Sequence, residues 1–75
     1  MKVTVIPGSW AQKYVQREWL TVELPESATV ADAITAARVP ADAVGFAVIS
    51  GSAVRKDHKL TDGAEVTLYP PIVGG

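Results

Sequence analysis

The absence of cysteine is the feature that most constrains this chain of 75 residues. A domain of this size lies near the lower limit of what one hydrophobic core can support, and small domains often add disulfides or metal sites. Without cysteine, disulfides, thiolate metal sites and cysteine nucleophiles are all excluded. Hydrophobic residues make up 48% of the chain and charged residues 20%, which is a globular composition. The sequence therefore predicts a compact, regular fold held by apolar packing.

The charge distribution excludes several partner classes. The formal net charge is -1, and the basic residues form no cluster beyond Arg55-Lys56. We therefore expect neither a nucleic-acid partner nor a membrane partner. No apolar run approaches the roughly 18 residues that a membrane span requires. Pro7-Gly8 follow the first residues too closely for a signal peptide, so a cytoplasmic location is expected.

Alternating apolar residues and turn signals predict a series of strands. Leu20, Val22 and Leu24 point to one face of a strand that Pro25 ends, and Val66 and Leu68 do the same after the Asp62-Gly63 turn. The β-type segments are residues 2–6, 20–24, 46–49, 53–55 and 65–69. Four of these have clear boundaries, and residues 53–55 are expected to pair back on the fourth segment. The pattern predicts a sheet of four to five strands.

One helix is predicted between the second and third strands. Thr29 is a suitable N-cap, and Asp32 favours the positive end of the helix dipole. Apolar residues then recur at helical spacing before Pro40, namely Val30, Ala33, Ile34 and Ala37. The order of elements predicts an α+β domain in which one main helix packs across one face of a mixed sheet.

Two structures compete for the segment after Pro7-Gly8. Ser9 and Gln12 have the spacing of a capping box, which predicts a helix with Trp10, Ala11, Tyr14 and Val15 on one face. The alternative is a loop inside a wide hairpin. The sequence leaves the conformation of residues 7–19 open.

The segment that could carry chemistry is the tail, residues 70–75, which follows a domain of residues 1–69. Pro70 and Pro71 cannot donate hydrogen bonds to a ladder, so they end the last strand and favour an extended tail that leaves the body. Six extended residues reach at most about 20 Å, enough to enter another protein's cleft. Gly74 and Gly75 lack a Cβ, which allows passage through a narrow channel and leaves the Gly75 carboxylate unhindered.

A carboxylate is inert to substitution, so chemistry at Gly75 would require a separate enzyme that adenylates it with ATP. The acyl group could then pass to sulfur or to an amine. The alternative is a functionless terminus or a cloning remnant, because chain ends are commonly disordered.

The sequence resembles the MoaD/ThiS family of β-grasp, ubiquitin-like sulfur carriers. The resemblance covers most of the chain from Val22 onward and consists of ordered pieces: Val22-Glu23-Leu24-Pro25-Glu26, Ala28-Thr29-Val30-Ala31-Asp32-Ala33, Asp57-His58, Leu60 with Asp62-Gly63, Glu65-Val66-Thr67-Leu68-Tyr69-Pro70-Pro71, and Gly74-Gly75. Residues 7–19 are shorter than in many members of the molybdopterin type. Ser50 stands where an asparagine often precedes the turn glycine.

The resemblance implies a carrier without enzymatic activity or a bound cofactor. A ubiquitin-activating-type adenylyltransferase would use ATP to activate Gly75, which would become a thiocarboxylate and donate sulfur. Tyr69-Pro70-Pro71 are more similar to the carrier of molybdopterin synthesis than to the thiamine carrier. The tail would then enter the catalytic subunit of molybdopterin synthase or another sulfur-accepting enzyme. Alternatives are a thiamine-type carrier, a ubiquitin-like modifier joined to lysine through Gly75, and an interaction domain with an inert tail.

The remaining candidate residues have competing interpretations. Tyr69 is predicted opposite Val66 and Leu68, where it could bind a partner or cover its own sheet. Ile72 and Val73 are expected to contact the partner together with Pro70 and Pro71, although they could also pack back on the domain.

Other residues are assigned no site. Trp10 and Trp19 are expected in the core or at its edge, and His58 in a solvated loop. No metal site is expected, because Asp57, Asp62 and Glu65 do not form a known metal-binding pattern.

Overall fold

A computed structural model of the protein describes residues 1–72. In this part of the chain, five strands form one sheet in the order β2-β1-β5-β3-β4. The strands are β1 (Lys2–Ile6), β2 (Leu20–Glu23), β3 (Phe46–Ile49), β4 (Ser52–Val54) and β5 (Glu65–Tyr69). The helix α1 (Val30–Ala36) lies between β2 and β3 in the sequence, and short 3-10 helices span Ser9–Ala11 and Ala41–Ala43.

The sheet is mixed because its central strand has neighbours of both orientations. The β5 strand is parallel to β1 and antiparallel to β3. The β1–β2 and β3–β4 pairs at the two edges are antiparallel. The predicted α+β arrangement of one main helix on a mixed four- to five-stranded sheet is confirmed, with five strands.

The core lies between α1 and one face of the sheet. In the sheet register Val3 faces Val22 and Val5 faces Val66, so alternate residues of these strands point to the same side. These strand residues pack against the apolar helix residues that the spacing predicted. The central core residues are Val3, Val5, Val30, Ala33, Ile34, Val66 and Leu68. The intervening strand residues form the second face, which is termed the open face here.

The N-terminus of α1 is capped as the sequence predicted. The Thr29 N–H donates to Asp32 Oδ2 at 2.8 Å, which is one half of a capping box. The Val30 N–H, another donor without a partner inside the helix, donates to the His58 carbonyl at 2.9 Å. The His58 side chain is exposed, as predicted, whereas its main chain anchors the helix.

The C-terminus of α1 ends without a glycine. Arg38 has a φ of 65°, in the left-handed region, and its N–H donates to the Thr35 carbonyl. The Val39 N–H reaches back to the Ile34 carbonyl at 3.2 Å. This pair of bonds is a Schellman motif, in which glycine is the usual residue at the left-handed position.

The segment after β1 contains parts of both predicted structures. Ser9–Ala11 form a 3-10 helix inside the wide β1–β2 hairpin, so this segment is helical for a single short turn. The predicted cap is wrong, because Gly8 occupies the N-cap position and no side chain caps the turn. Ala11 is fully buried, and its carbonyl accepts from the N–H groups of Tyr14 and Val15.

The two tryptophans differ in burial. Trp10 packs at the edge of the core, as predicted, and its Nε1–H donates to the Leu68 carbonyl at 3.0 Å. Trp19 does not: its side chain is 60% exposed, so the prediction of a core position for it is wrong. The physical reason is the strand period, since Leu20 points inward and its neighbour must point outward.

The turn before β5 is attached to the start of β1. The Lys2 N–H donates to Asp62 Oδ1 at 2.8 Å, and the Gly63 N–H donates to the Lys2 carbonyl at 2.8 Å. Gly63 has a φ of 83°, so this turn requires the left-handed conformation that Asp62-Gly63 predicted. A Cβ at Gly63 would meet no atom within 4 Å, so any cost of substitution there is conformational.

Candidate functional site

The central strand β5 leads directly into the predicted tail. Tyr69 is its last residue, and Pro70 and Pro71 follow without an N–H to continue the ladder. The pairing of β5 with β1 covers Glu65 to Thr67, whereas its last residue, Tyr69, pairs with Phe46 of β3. The tail therefore starts where β5 is paired with β3.

Gly45 holds the start of the tail against the body. Its N–H donates to the Tyr69 carbonyl at 2.8 Å. A Cβ placed on Gly45 would lie 2.5 Å from Pro71 Cα and 2.8 Å from both Pro70 O and Pro71 N. Real Cβ contacts essentially never fall below 3.0 Å, so only glycine permits this approach. Contacts with the body thus extend to Pro71.

An aromatic pair lies beside this contact. Phe46 and Tyr69 face each other across β3 and β5, and their rings stack with centroids 5.1 Å apart and an interplanar angle of 9°. Tyr69 is on the open face, opposite Val66 and Leu68 as predicted, and is 41% exposed. It thus both covers its own sheet and presents a surface. We name the group Gly45, Phe46, Tyr69, Pro70 and Pro71 the tail root.

Ile72 is the next residue and projects into solvent. It is 87% exposed, so in the described structure it does not pack back on the domain. An exposed apolar side chain next to the tail root is available to a partner. The other predicted tail residues, Val73, Gly74 and Gly75, lie outside the described residues.

A groove with charged residues adjoins the tail root. It is lined by Gly45, Phe46, Val54, Arg55, Lys56 and Asp57. Lys56 Nζ donates to the Ala41 carbonyl at 2.7 Å, which fixes one positive charge beside the short helix that precedes Gly45. The groove therefore places charged side chains next to the tail root.

The open face carries a second apolar position at the far side of the sheet. Trp19 lies with Thr4, Ile6, Glu18 and Glu65 around one shallow depression. Sequence reasoning missed this surface because it assigned Trp19 to the core. The signal was present, since Trp19 directly precedes a strand whose inward residues are even-numbered.

Sequence reasoning also missed Gly45 and Phe46. A glycine directly before a strand can mark a close approach of another backbone, which was the available signal for Gly45. Phe46 had no such signal, because its neighbour Tyr69 is identified only by the β3–β5 register.

Two structural findings describe what residues 1–72 do not contain. No helix in this range is long and apolar enough to cross a membrane. Nor do these residues bring three or more histidine, cysteine or acidic side chains together in a way that could hold a metal ion.

The helix packed on a five-stranded mixed sheet and the tail that follows the central strand define a ubiquitin-like protein of the β-grasp fold. The sequence model of the Mut7-C ubiquitin family matches residues 11–73, which is most of the chain. The chain therefore belongs to the Mut7-C ubiquitin family. No curated protein matches it significantly.

Solved structures show the same fold. Small archaeal modifier protein 1 (SAMP1) from Haloferax volcanii is 22% identical, with a TM-score of 0.77 over 100% of both chains. A protein assigned as molybdopterin converting factor subunit 1 from Pyrococcus furiosus is 24% identical, with a TM-score of 0.75 over 96% of this chain and 99% of that one.

A more distant likeness supports the same class. A ubiquitin-like protein from Caldiarchaeum subterraneum is 20% identical, with a TM-score of 0.55 over 99% of this chain and 100% of that one. The resemblance to ubiquitin-like MoaD/ThiS proteins is thereby confirmed, and at these identities the structural likeness concerns the fold.

Proposed function

We propose that this protein is a sulfur carrier that works through residue Gly75. The tail root is the observation that carries the proposal: a ubiquitin-like domain holds Pro70 and Pro71 against Gly45 and leaves Ile72 exposed. Residues 70–75 serve as the working tail and residues 1–69 as the domain that a partner recognises. A tail that starts in this way and includes Gly74-Gly75 suits delivery of an acyl group into a narrow active site.

The chemistry takes two steps at the Gly75 carboxylate. In the first, a carboxylate oxygen attacks the α-phosphorus of ATP, and the acyl adenylate forms as pyrophosphate leaves. In the second, sulfide attacks the carbonyl carbon, the bond to the AMP oxygen breaks, and a thiocarboxylate and AMP result. Both steps belong to a partner enzyme of the ubiquitin-activating type, and the carrier itself supplies the substrate group.

Two kinds of partner follow from this proposal. The adenylyltransferase binds the domain and receives the tail, and a sulfur-accepting enzyme then takes the thiocarboxylate. We assign partner contacts to Tyr69, Ile72 and Val73, with Pro70 and Pro71 as the stiff start of the tail. The likeness to the Pyrococcus furiosus protein favours the catalytic subunit of molybdopterin synthase as the acceptor. Since activation consumes ATP, we place the reaction in the cytoplasm.

A protein modifier is the second candidate. The Haloferax volcanii neighbour is a small archaeal modifier protein, and this likeness favours transfer of the activated Gly75 to a lysine amine instead of to sulfur. Activation is the same in both cases, and the partner selects the acceptor.

The test is the intact mass of the protein after incubation with ATP, sulfide and a candidate activating enzyme from the same organism. The control is a variant that lacks Gly75. The expected result is a mass gain equal to the exchange of one oxygen for sulfur, present in the full chain and absent in the control.

Other results would change the assignment. Adducts on lysine without the sulfur exchange would support the modifier, and an unchanged mass with every candidate enzyme would contradict both. A native protein whose mass shows further residues after Gly75 would also contradict the proposal, because Gly75 would then have no free carboxylate until it was processed.

A further inference from the structure

We propose that Gly45 is a positioning residue that sets the direction in which the tail leaves the sheet and so aims Gly75 at the activating enzyme. This inference rests on the proposed function for its second half. Its first half, the control of tail direction by Gly45, stands on the geometry of the tail root alone.

The contact at Gly45 involves backbone atoms that cannot move aside cheaply. The three atoms that a Cβ would meet are Pro71 Cα, Pro70 O and Pro71 N, at 2.5 to 2.8 Å. A flexible side chain could rotate away, but these atoms belong to the tail's main chain. An added methyl group must therefore displace the tail, the Gly45 segment, or both.

The prolines convert a displacement into a change of direction. Each proline ring fixes φ near -65°, and each residue before a proline is restricted to extended conformations. Tyr69, Pro70 and Pro71 thus have few torsions with which to absorb a shift. Because Ile72 follows Pro71 directly, a rotation at Pro71 changes the direction in which the chain leaves the tail root.

Gly45 also supplies a hydrogen bond within the tail root. Pro70 and Pro71 cannot donate hydrogen bonds, and the bond from the Gly45 N–H to the Tyr69 carbonyl is 2.8 Å long. The Phe46–Tyr69 stack lies on the open face and fixes the residue before the prolines. Gly45 is therefore a point at which the body can steer the tail.

The test compares Gly45→Ala with Gly63→Ala. Both variants replace a glycine by alanine near one end of β5. Gly45 bonds to Tyr69 at the end of the strand, whereas Gly63 lies in the turn before the strand, with a φ of 83° and no atom within 4 Å of an added Cβ. The two variants share the chemistry of substitution and differ in contact with the tail. Thermal unfolding of both variants measures their loss of stability.

The structural readout is nuclear magnetic resonance of the full chain without any enzyme. We expect the amide of residue 45, which donates to the Tyr69 carbonyl, to exchange with solvent faster in Gly45→Ala, and the Ile72 amide to change its relaxation. Gly63→Ala should leave both signals as they are in the parent protein. An unchanged Ile72 amide together with an unchanged exchange rate of the residue-45 amide in Gly45→Ala would overturn the steering role.

The kinetic readout is adenylation of Gly75 by the activating enzyme with ATP. We expect kcat for Gly45→Ala to fall by about 10- to 100-fold, because small misplacements of a reacting group carry costs of that size. The affinity of the enzyme for the domain, measured by binding, should change much less. Equal losses in Gly45→Ala and Gly63→Ala would show a general stability effect and overturn the inference.

A second variant covers the case in which Gly45→Ala fails to fold. Pro71→Ala changes an exposed residue and removes stiffness from the same tail root. It should alter Ile72 relaxation and lower kcat in the same direction, and no effect on either would count against the inference. If the parent protein is never adenylated, the proposed function fails, while the resonance comparison still decides whether Gly45 steers the tail.

Discussion

Phe46 and Tyr69 form a stacked pair across two neighbouring strands, with ring centroids 5.1 Å apart, directly before the tail. We expect a double-mutant cycle of Phe46→Ala and Tyr69→Ala to give a coupling of about 0.5 to 1.5 kcal/mol. Tyr69→Phe keeps the aromatic ring and should retain most of this coupling energy. Urea unfolding measures these free energies. Phe46→Ala combined with Trp19→Ala is the control, and additive behaviour is expected there.

The two tryptophans should respond differently to the same substitution. Trp10→Phe removes the Nε1–H that donates to the Leu68 carbonyl, and we expect the free energy of unfolding to fall by about 1 to 2 kcal/mol. Trp19→Phe changes a ring that is 60% exposed, so a change within about 0.5 kcal/mol is expected. Chemical denaturation of both variants checks this, and a larger loss for Trp19→Phe would contradict the described burial.

Arg38 offers a site for stabilisation. Because its φ is 65°, Arg38→Gly relieves an unfavourable backbone conformation and should raise the free energy of unfolding by about 0.5 to 1 kcal/mol. Arg38→Ala removes the same charge but keeps a Cβ, so it should give no such gain. If both variants were equally stabilised in urea titrations, the cause would be the lost side chain and not the backbone.

The capping box at the start of α1 should contribute measurably to stability. Asp32→Ala removes the acceptor of the Thr29 N–H, and we expect the free energy of unfolding to fall by about 1 kcal/mol. Glu26→Ala removes another exposed carboxylate shortly before the helix and is the matched control for charge. Thermal unfolding compares the two variants, and a loss of equal size in Glu26→Ala would refute a specific role for the cap.

The fold could be predicted because local chemistry and the hydrophobic pattern agree along most of the chain. Val66 and Leu68 alternate with polar residues in β5, and Thr29 and Asp32 mark the start of α1 where the structure has it. The spacing of apolar residues and helix capping depend on residues close together in the chain, so both can be recognised in the sequence alone. The sheet and its single main helix follow from such signals.

The tail root could be predicted only in part, because it depends on contacts between distant residues. Tyr69, Pro70 and Pro71 were identified from their place before Gly74-Gly75 and from the resemblance. Gly45 was not identified, since its role depends on the β3–β5 register, which places it beside Pro71. Strand register is set by the whole packed sheet and is not visible in either segment alone.

The position of β5 between β1 and β3 has a mechanical consequence. A partner that grips residues beyond Pro71 and pulls on them transmits the load straight into the central strand. The load acts first on the antiparallel ladder with β3, which includes Tyr69, and then on the parallel ladder with β1, which begins at Thr67. The tail can therefore serve as a handle by which the domain is held under tension without peeling an edge strand from the sheet.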